Sequence, residues 1–168
     1  ASHVARWDGQ RWQSLGPFRA EGVNGPVMTM AQGTNGVVYV GGQFSLAGGK
    51  PAWNVARWDG SGWSALGSGL MGTGSAVVRA LAVSEDGRLY AGGTFRESNG
   101  VPLDNIAVWD GQHWSALEGG GIVGDGVSEA TVHALAWRGS GLWVGGQFSR
   151  AGGIEASALA QWDGRGWR

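Results

Sequence analysis

A block beginning Val4-Ala5-Arg6-Trp7-Asp8-Gly9 and running to Gly16 returns at Val55 to Gly67, at Ile106 to Glu118 and, clipped, at Leu159 to Arg168, in steps of 51, 51 and 53 residues. A second block keeps the same step, with Val38 to Gly42 answered by Leu89 to Gly93 and Leu142 to Gly146. A tandem array of this kind constrains the fold more than any local propensity. One repeat cannot cover its own apolar faces, so neighbouring repeats must stack and bury them together.

Within one period, four short apolar runs are separated by turn chemistry, which reads as four antiparallel strands. In the middle repeat they are expected at residues 77–83, 88–92, 105–109 and 113–117, with Glu85-Asp86-Gly87 and Asp110-Gly111 as tight turns. No helix is needed. Four-stranded sheets of this size leave two faces and two edges open, and radial stacking covers the faces and shortens the edges. The expected fold class is therefore all-β, made of β-propeller blades. The Ala- and Val-rich first strands at 27–31, 78–82 and 132–136 would occupy the crowded innermost position. Residues 1–168 form one tandem-repeat segment, with a partial blade at 1–16 and blades at 17–67, 68–118 and 119–168. About three blades plus partial end strands make an incomplete ring, since propellers typically have about four to eight blades. Further blades, from a longer chain or from other copies, are thus expected partners.

Composition narrows the function. There are 34 glycines in 168 residues but no G-X-Y period and only 4 prolines, which excludes collagen. With 42 % hydrophobic residues and 11 tryptophans the chain is not of disordered composition. A net charge of −1 without a run of Lys or Arg gives no electrostatic footprint for nucleic acid or anionic membrane. No apolar stretch approaches the length of a membrane span. Without cysteine there is no disulfide, thiol nucleophile or thiolate metal site.

The aliphatic-Tyr-x-Gly-Gly strand ends at Val38 to Gly42 and Leu89 to Gly93, with Trp for Tyr at Trp143, are similar to the double glycine of kelch repeats. Trp58-Asp59 and Trp63 follow in kelch order, and the likeness covers essentially the whole chain. The spacing between the two aromatics is tighter than in most kelch repeats, and the Phe-x-x-Ala-Gly-Gly loop is an addition. The chain most resembles the bacterial kelch-like type with WDG and GGxFxxAGG repeats found in surface and exported proteins. That resemblance implies a propeller scaffold and an extracellular or cell-surface location.

The residues that invite a chemical role read first as scaffold. The pairs Trp7/Trp12, Trp58/Trp63, Trp109/Trp114 and Trp162/Trp167 flank WDG turns and face each other across hairpins, where aromatic pairs stabilise by about 0.2 to 1 kcal/mol. The same rings could stack on a pyranose, and WDGSGW and WDGRGW are similar to short segments of six-bladed fucose-binding lectins. Asp8, Asp59, Asp110 and Asp163 precede Gly in turns, where Asp caps its own backbone. His3, His113 and His133 occupy three different repeat positions and supply no metal-ligand set. Galactose oxidase, a kelch-like enzyme, needs a Cys-Tyr pair that this chain lacks, and no GxSxG elbow is present. A non-enzymatic chain without cofactor or metal is expected.

In an up-and-down blade, the loop between the second and third strands and the connection to the next blade emerge at the same end. Those stretches are the long ones here, and loops on a rigid scaffold are where binding residues concentrate. Within them Leu46, Glu97 and Arg150 are equivalent positions that differ, as are Trp53, Asp104 and Ser157. Trp53 is the foremost candidate, because exposed aromatics and arginines are typical interface anchors. The expected function is a non-catalytic binding or assembly module that presents this side to a protein or glycan. A propeller lectin and a purely structural subunit are the alternatives.

Overall fold

The computed structural model describes residues 2–18 and 20–168, and it is all-β. A leading pair, β1 (Ala5–Trp7) and β2 (Trp12–Ser14), is followed by β3 (Val27–Gln32), β4 (Val38–Gly42), β5 (Leu46–Ala47), β6 (Lys50–Pro51), β7 (Val55–Trp58) and β8 (Trp63–Ala65). The second repeat holds β9 (Val78–Val83), β10 (Leu89–Gly93), β11 (Glu97–Ser98), β12 (Val101–Pro102), β13 (Ile106–Trp109) and β14 (Trp114–Ser115). The third holds β15 (Ile122–Val123), β16 (Thr131–Arg138), β17 (Gly141–Gln147), β18 (Arg150–Ala151), β19 (Ile154–Glu155) and β20 (Leu159–Trp162). Two four-stranded antiparallel meanders result, β3-β4-β7-β8 and β9-β10-β13-β14, with a third sheet β16-β17-β20. In the first two repeats the strands fall where the apolar runs and Asp-Gly turns put them, and in the third the fourth strand is reduced to the bridge between Trp162 and Trp167. None of the sheets closes on itself.

The sheets pack face to face in sequence, with β3 lying against β9 and β9 against β16. Period-2 alternation divides each sheet into a forward face, toward the following repeat, and a backward face. Forward-facing Val55 and Leu66 share a core with backward-facing Val78, Leu81, Trp109 and Trp114. One repeat later, Ala82, Tyr90, Ile106 and Leu117 share a core with Val132, Leu142, Val144 and Trp162. Tyr90 stacks on Trp137 at 5.2 Å between ring centroids.

The double glycine is explained by this stacking. A Cβ on Gly41 would lie 2.5 Å from Val78 Cγ1, and one on Gly92 would lie 2.8 Å from Val132 Cβ. The valine that opens each following sheet is a knob, and the first glycine is its seat. The second glycine serves its own sheet: at Gly93 the register of β9 and β10 shifts, and a Cβ would collide with the Val77 carbonyl.

The second Trp of the two middle WDG turns also ties neighbours together. Trp63 Nε1 donates to Leu15 O at 2.7 Å and Trp114 Nε1 to Leu66 O at 2.9 Å, each reaching the preceding repeat. Within the first three turns the rings lie 5.4 to 5.5 Å apart and tilted, as cross-strand pairs.

The Phe-x-x-Ala-Gly-Gly stretches, expected as loops, are ordered two-stranded hairpins: β5-β6, β11-β12 and β18-β19. Gly48-Gly49 and Asn99-Gly100 turn two of them with positive φ at both central residues, as the tightest hairpin requires. The connection leading into each repeat then pairs with that repeat's hairpin, through Val23 with Ala47, Met71 with Glu97, and β15 with β18.

Candidate functional site

The long-loop side is built on a repeated junction. Asn54 and Asn105 both adopt positive φ, are buried, and donate Nδ2 to Leu70 O and Ile122 O at 2.7 and 2.8 Å. Asparagine suits the place because its short side chain tolerates the left-handed region and bonds nearby backbone. The residue before each asparagine is clamped by its carbonyl, with Leu70 N donating to Trp53 O at 3.0 Å and Ile122 N to Asp104 O at 2.8 Å. Val23 N makes the same bond to Ser2 O at 3.2 Å. Gly69, with φ +78°, lets the next repeat approach, since a Cβ there would lie 2.7 Å from Trp53 Cβ.

At the first of these complete junctions the chain forms a cleft of about 580 Å³. Asn24, Pro26, Gln43, Ser45, Trp53, Met71 and Ser75 are among the residues lining it. Asn24 shapes one wall: its Oδ1 accepts Ser45 N at 2.9 Å and Leu46 N at 2.8 Å, and its Nδ2 donates to Ser45 Oγ at 3.0 Å. Asn54 Oδ1 accepts Phe44 N at 3.2 Å. Trp53, 48 % exposed, presents its ring with the backbone held on both sides. All lining side chains are neutral at any ordinary pH: amides, hydroxyls, Met, Phe, Trp and small residues. Such a surface offers an apolar plate and directional hydrogen bonds. It suits an uncharged ligand, and it supplies no acid, base or nucleophilic thiol.

The second junction is chemically different. Its depression, about 260 Å³, is lined by Arg96, Glu129 and the 124–130 connection, and the residue equivalent to Trp53 is half-buried Asp104. The six residues expected to bind do not converge. Trp53 lines the large cleft, and Glu97 lies outside it, its carbonyl accepting from the N–H of the lining Met71 at 2.8 Å. Leu46 lies on β5 beside a shallower depression with Ser2 and Gly49, and Arg150 and Ser157 are exposed in the third repeat. Asn24, Gln43, Ser45, Met71 and Ser75 were not expected. They come from stretches whose glycines recur, so nothing local marks them.

The turn aspartates are committed to backbone. Asp8, Asp59, Asp110 and Asp163 each accept two N–H groups on Oδ1 from residues two and three further on, at 2.7 to 3.0 Å. Asp125 makes the same turn with Val127 and Ser128. The N–H groups of Ser61 and Gly62, aided by the Ser61 hydroxyl, hold the Asp59 carboxyl down to about 2. Trp63 and Trp114 are buried, which leaves no open ring face for a sugar, whereas Trp7 and Trp12 are exposed. No protein-family model matches this chain, and no curated protein matches it closely enough to be counted a relative.

Proposed function

We propose that the chain is a kelch-like β-propeller segment of a bacterial extracellular or surface protein, acting as a non-catalytic binding and assembly module. Its long-loop side is presented to a protein or glycan partner. The observation that carries this reading is the neutral cleft with Trp53 on its wall, of the size that small ligands or one side-chain cluster fill. Its walls come from rigid, paired backbone, so little ordering is needed on binding. The blade reading is supported by the order of packing, in which the first strands of successive sheets are the neighbours. The buried ring faces of Trp63 and Trp114 favour the Trp53 cleft over a lectin built on the WDG tryptophans.

The experiment is a glycan array and a protein-capture screen with the wild-type chain, followed by titration of the hits against Trp53→Ala. A flat aromatic anchor of this kind is worth about 2 kcal/mol or more, so affinity should fall at least about 30-fold with the melting temperature nearly unchanged. Binding that survives Trp53→Ala but is lost with Trp12→Ala would move the site to the WDG rings. Turnover of any hit by the chain would overturn the non-catalytic reading.

A further inference from the structure

The backward face of the first repeat is covered on its outer half only. There, Val4 and Leu15, which flank β1 and β2, share a core with Val40, Phe44, Ala56 and Trp63. The inner half is an apolar groove of about 370 Å³, lined by residues including Val4, Leu15, Met30, Val38 and Trp58. Met30 is 54 % exposed, while Leu81, its counterpart one repeat later, is 7 % exposed. Val27 is half-buried, whereas the equivalent knobs Val78 and Val132 are fully buried on Gly41 and Gly92. β1 is paired along one edge only, with β2, whereas its counterparts β7 and β13 are paired along both.

We propose that this groove is the acceptor for a β-hairpin of the chain's own repeat type, whose second strand adds to the free edge of β1. The repeat specifies the occupant, because the molecule builds the same interface twice. In both internal copies, the second strand places an aromatic and, two residues on, a glycine on the forward face. Gly41 seats Val78, and Gly92 seats Val132. Tyr90 lies 5.9 Å from the ring of Trp162, the counterpart of Trp58. At the groove, the incoming glycine therefore sits on Val27 and its aromatic over Trp58, with main-chain bonds to Ala5, Arg6 and Trp7. Recognition is by aromatic-x-Gly in an extended strand, and any side chain at the glycine position collides with the Val27 knob. A whole second copy does not fit unaltered, because its outer strands would claim the space held by β1 and β2.

The inference rests on reading each four-stranded sheet as one blade, but its test is separate from tests of curvature or of the Trp53 cleft. A copy of residues 77–102, which contains no methionine, is joined directly ahead of Ala1; this keeps the 51-residue step. Peroxide oxidation is then followed residue by residue by mass spectrometry. Met28, whose counterparts Arg79 and His133 are half-buried and exposed, is the internal reference. Oxidation of Met30 should slow several-fold relative to Met28, and the thermal midpoint should rise. The same extension carrying Gly92→Val should lose both effects, and adding Val27→Gly to the body of that chain should restore protection. Equal Met30 rates with and without the extension would overturn the proposal. So would equal protection by the Gly92→Val extension, or concentration-dependent protection of Met30 in the unextended chain, which would assign the groove to a second copy.

Discussion

Gly41, Gly92 and Gly145 hold one place in the repeat, yet the structure makes their substitution by alanine unequal. At Gly92 the new methyl would lie 2.8 Å from Val132 Cβ and nearer still to its Cγ1, and Val132 is fully buried between two sheets. Bringing that pair to an ordinary carbon–carbon separation requires a retreat of at least about 0.7 Å by a packed sheet. Overpacking of this order destabilises by about 1 to 3 kcal/mol. At Gly145 the nearest atom is Ala134 Cβ at 3.8 Å, an ordinary contact, and the backbone is not left-handed. Gly145→Ala should therefore be neutral, or stabilising by about 0.5 kcal/mol through the unfolded chain. At about 2 to 4 °C per kcal/mol for a chain of this size, Gly92→Ala should melt roughly 2 to 14 °C below Gly145→Ala. Thermal unfolding by circular dichroism, with urea titration for the free energies, checks this. Equal midpoints for the two variants would refute the knob-and-seat account of the double glycine.

Acid should weaken the fold in a defined window. The turn aspartates Asp8, Asp59, Asp110, Asp125 and Asp163 are held below the usual carboxylate range, chiefly by backbone N–H groups. The unfolded chain, with Asp near about 3.9, then binds more protons below pH 4. Stability is full above that pH and falls as pH drops toward 2, read as a declining urea midpoint; a midpoint flat across pH 4 to 2.5 would contradict it. The left-handed junction residue gives a paired prediction. Asn105→Ala strains a φ of +69° and orphans the Ile122 carbonyl, a loss of about 2 to 4 kcal/mol, with Asn105→Gly milder. Ala158, at φ +66° and exposed, should instead gain about 1 kcal/mol on replacement by Gly, seen as a higher thermal midpoint.

Legibility in the sequence followed the length scale of each feature. The four-strand period and the Asp-Gly turns were plain, because alternation and turn chemistry are local and occur three times. The small hairpins were written just as locally, in Gly48-Gly49 and Asn99-Gly100, but their strands are two residues long and too short to show alternation. The double glycine was visible as a motif, whereas its cause was not: Val78 lies far along the chain from Gly41, and only the stacked sheets bring knob to seat. The cleft was least legible. Its walls come from stretches near residues 24, 44, 53 and 72, and only Trp53 broke the repeat pattern enough to point there.

The junctions also separate what the repeat holds constant from what it leaves free. Ser2, Trp53 and Asp104 have their carbonyls gripped in the same way, by Val23, Leu70 and Ile122 in turn. The grip uses backbone alone, so the side chain can change without loss of the clamp. One junction accordingly carries an indole over a neutral cleft, and the next the half-buried carboxylate of Asp104. A scaffold that needed the side chain would have fixed it, as it has fixed Asn54 and Asn105 one residue on, where Nδ2 bridges to the following repeat. The side chain at this position can therefore differ from junction to junction while the stacking stays intact. That division of labour supports the proposal that binding uses residue 53 rather than the repeated tryptophans of the WDG turns.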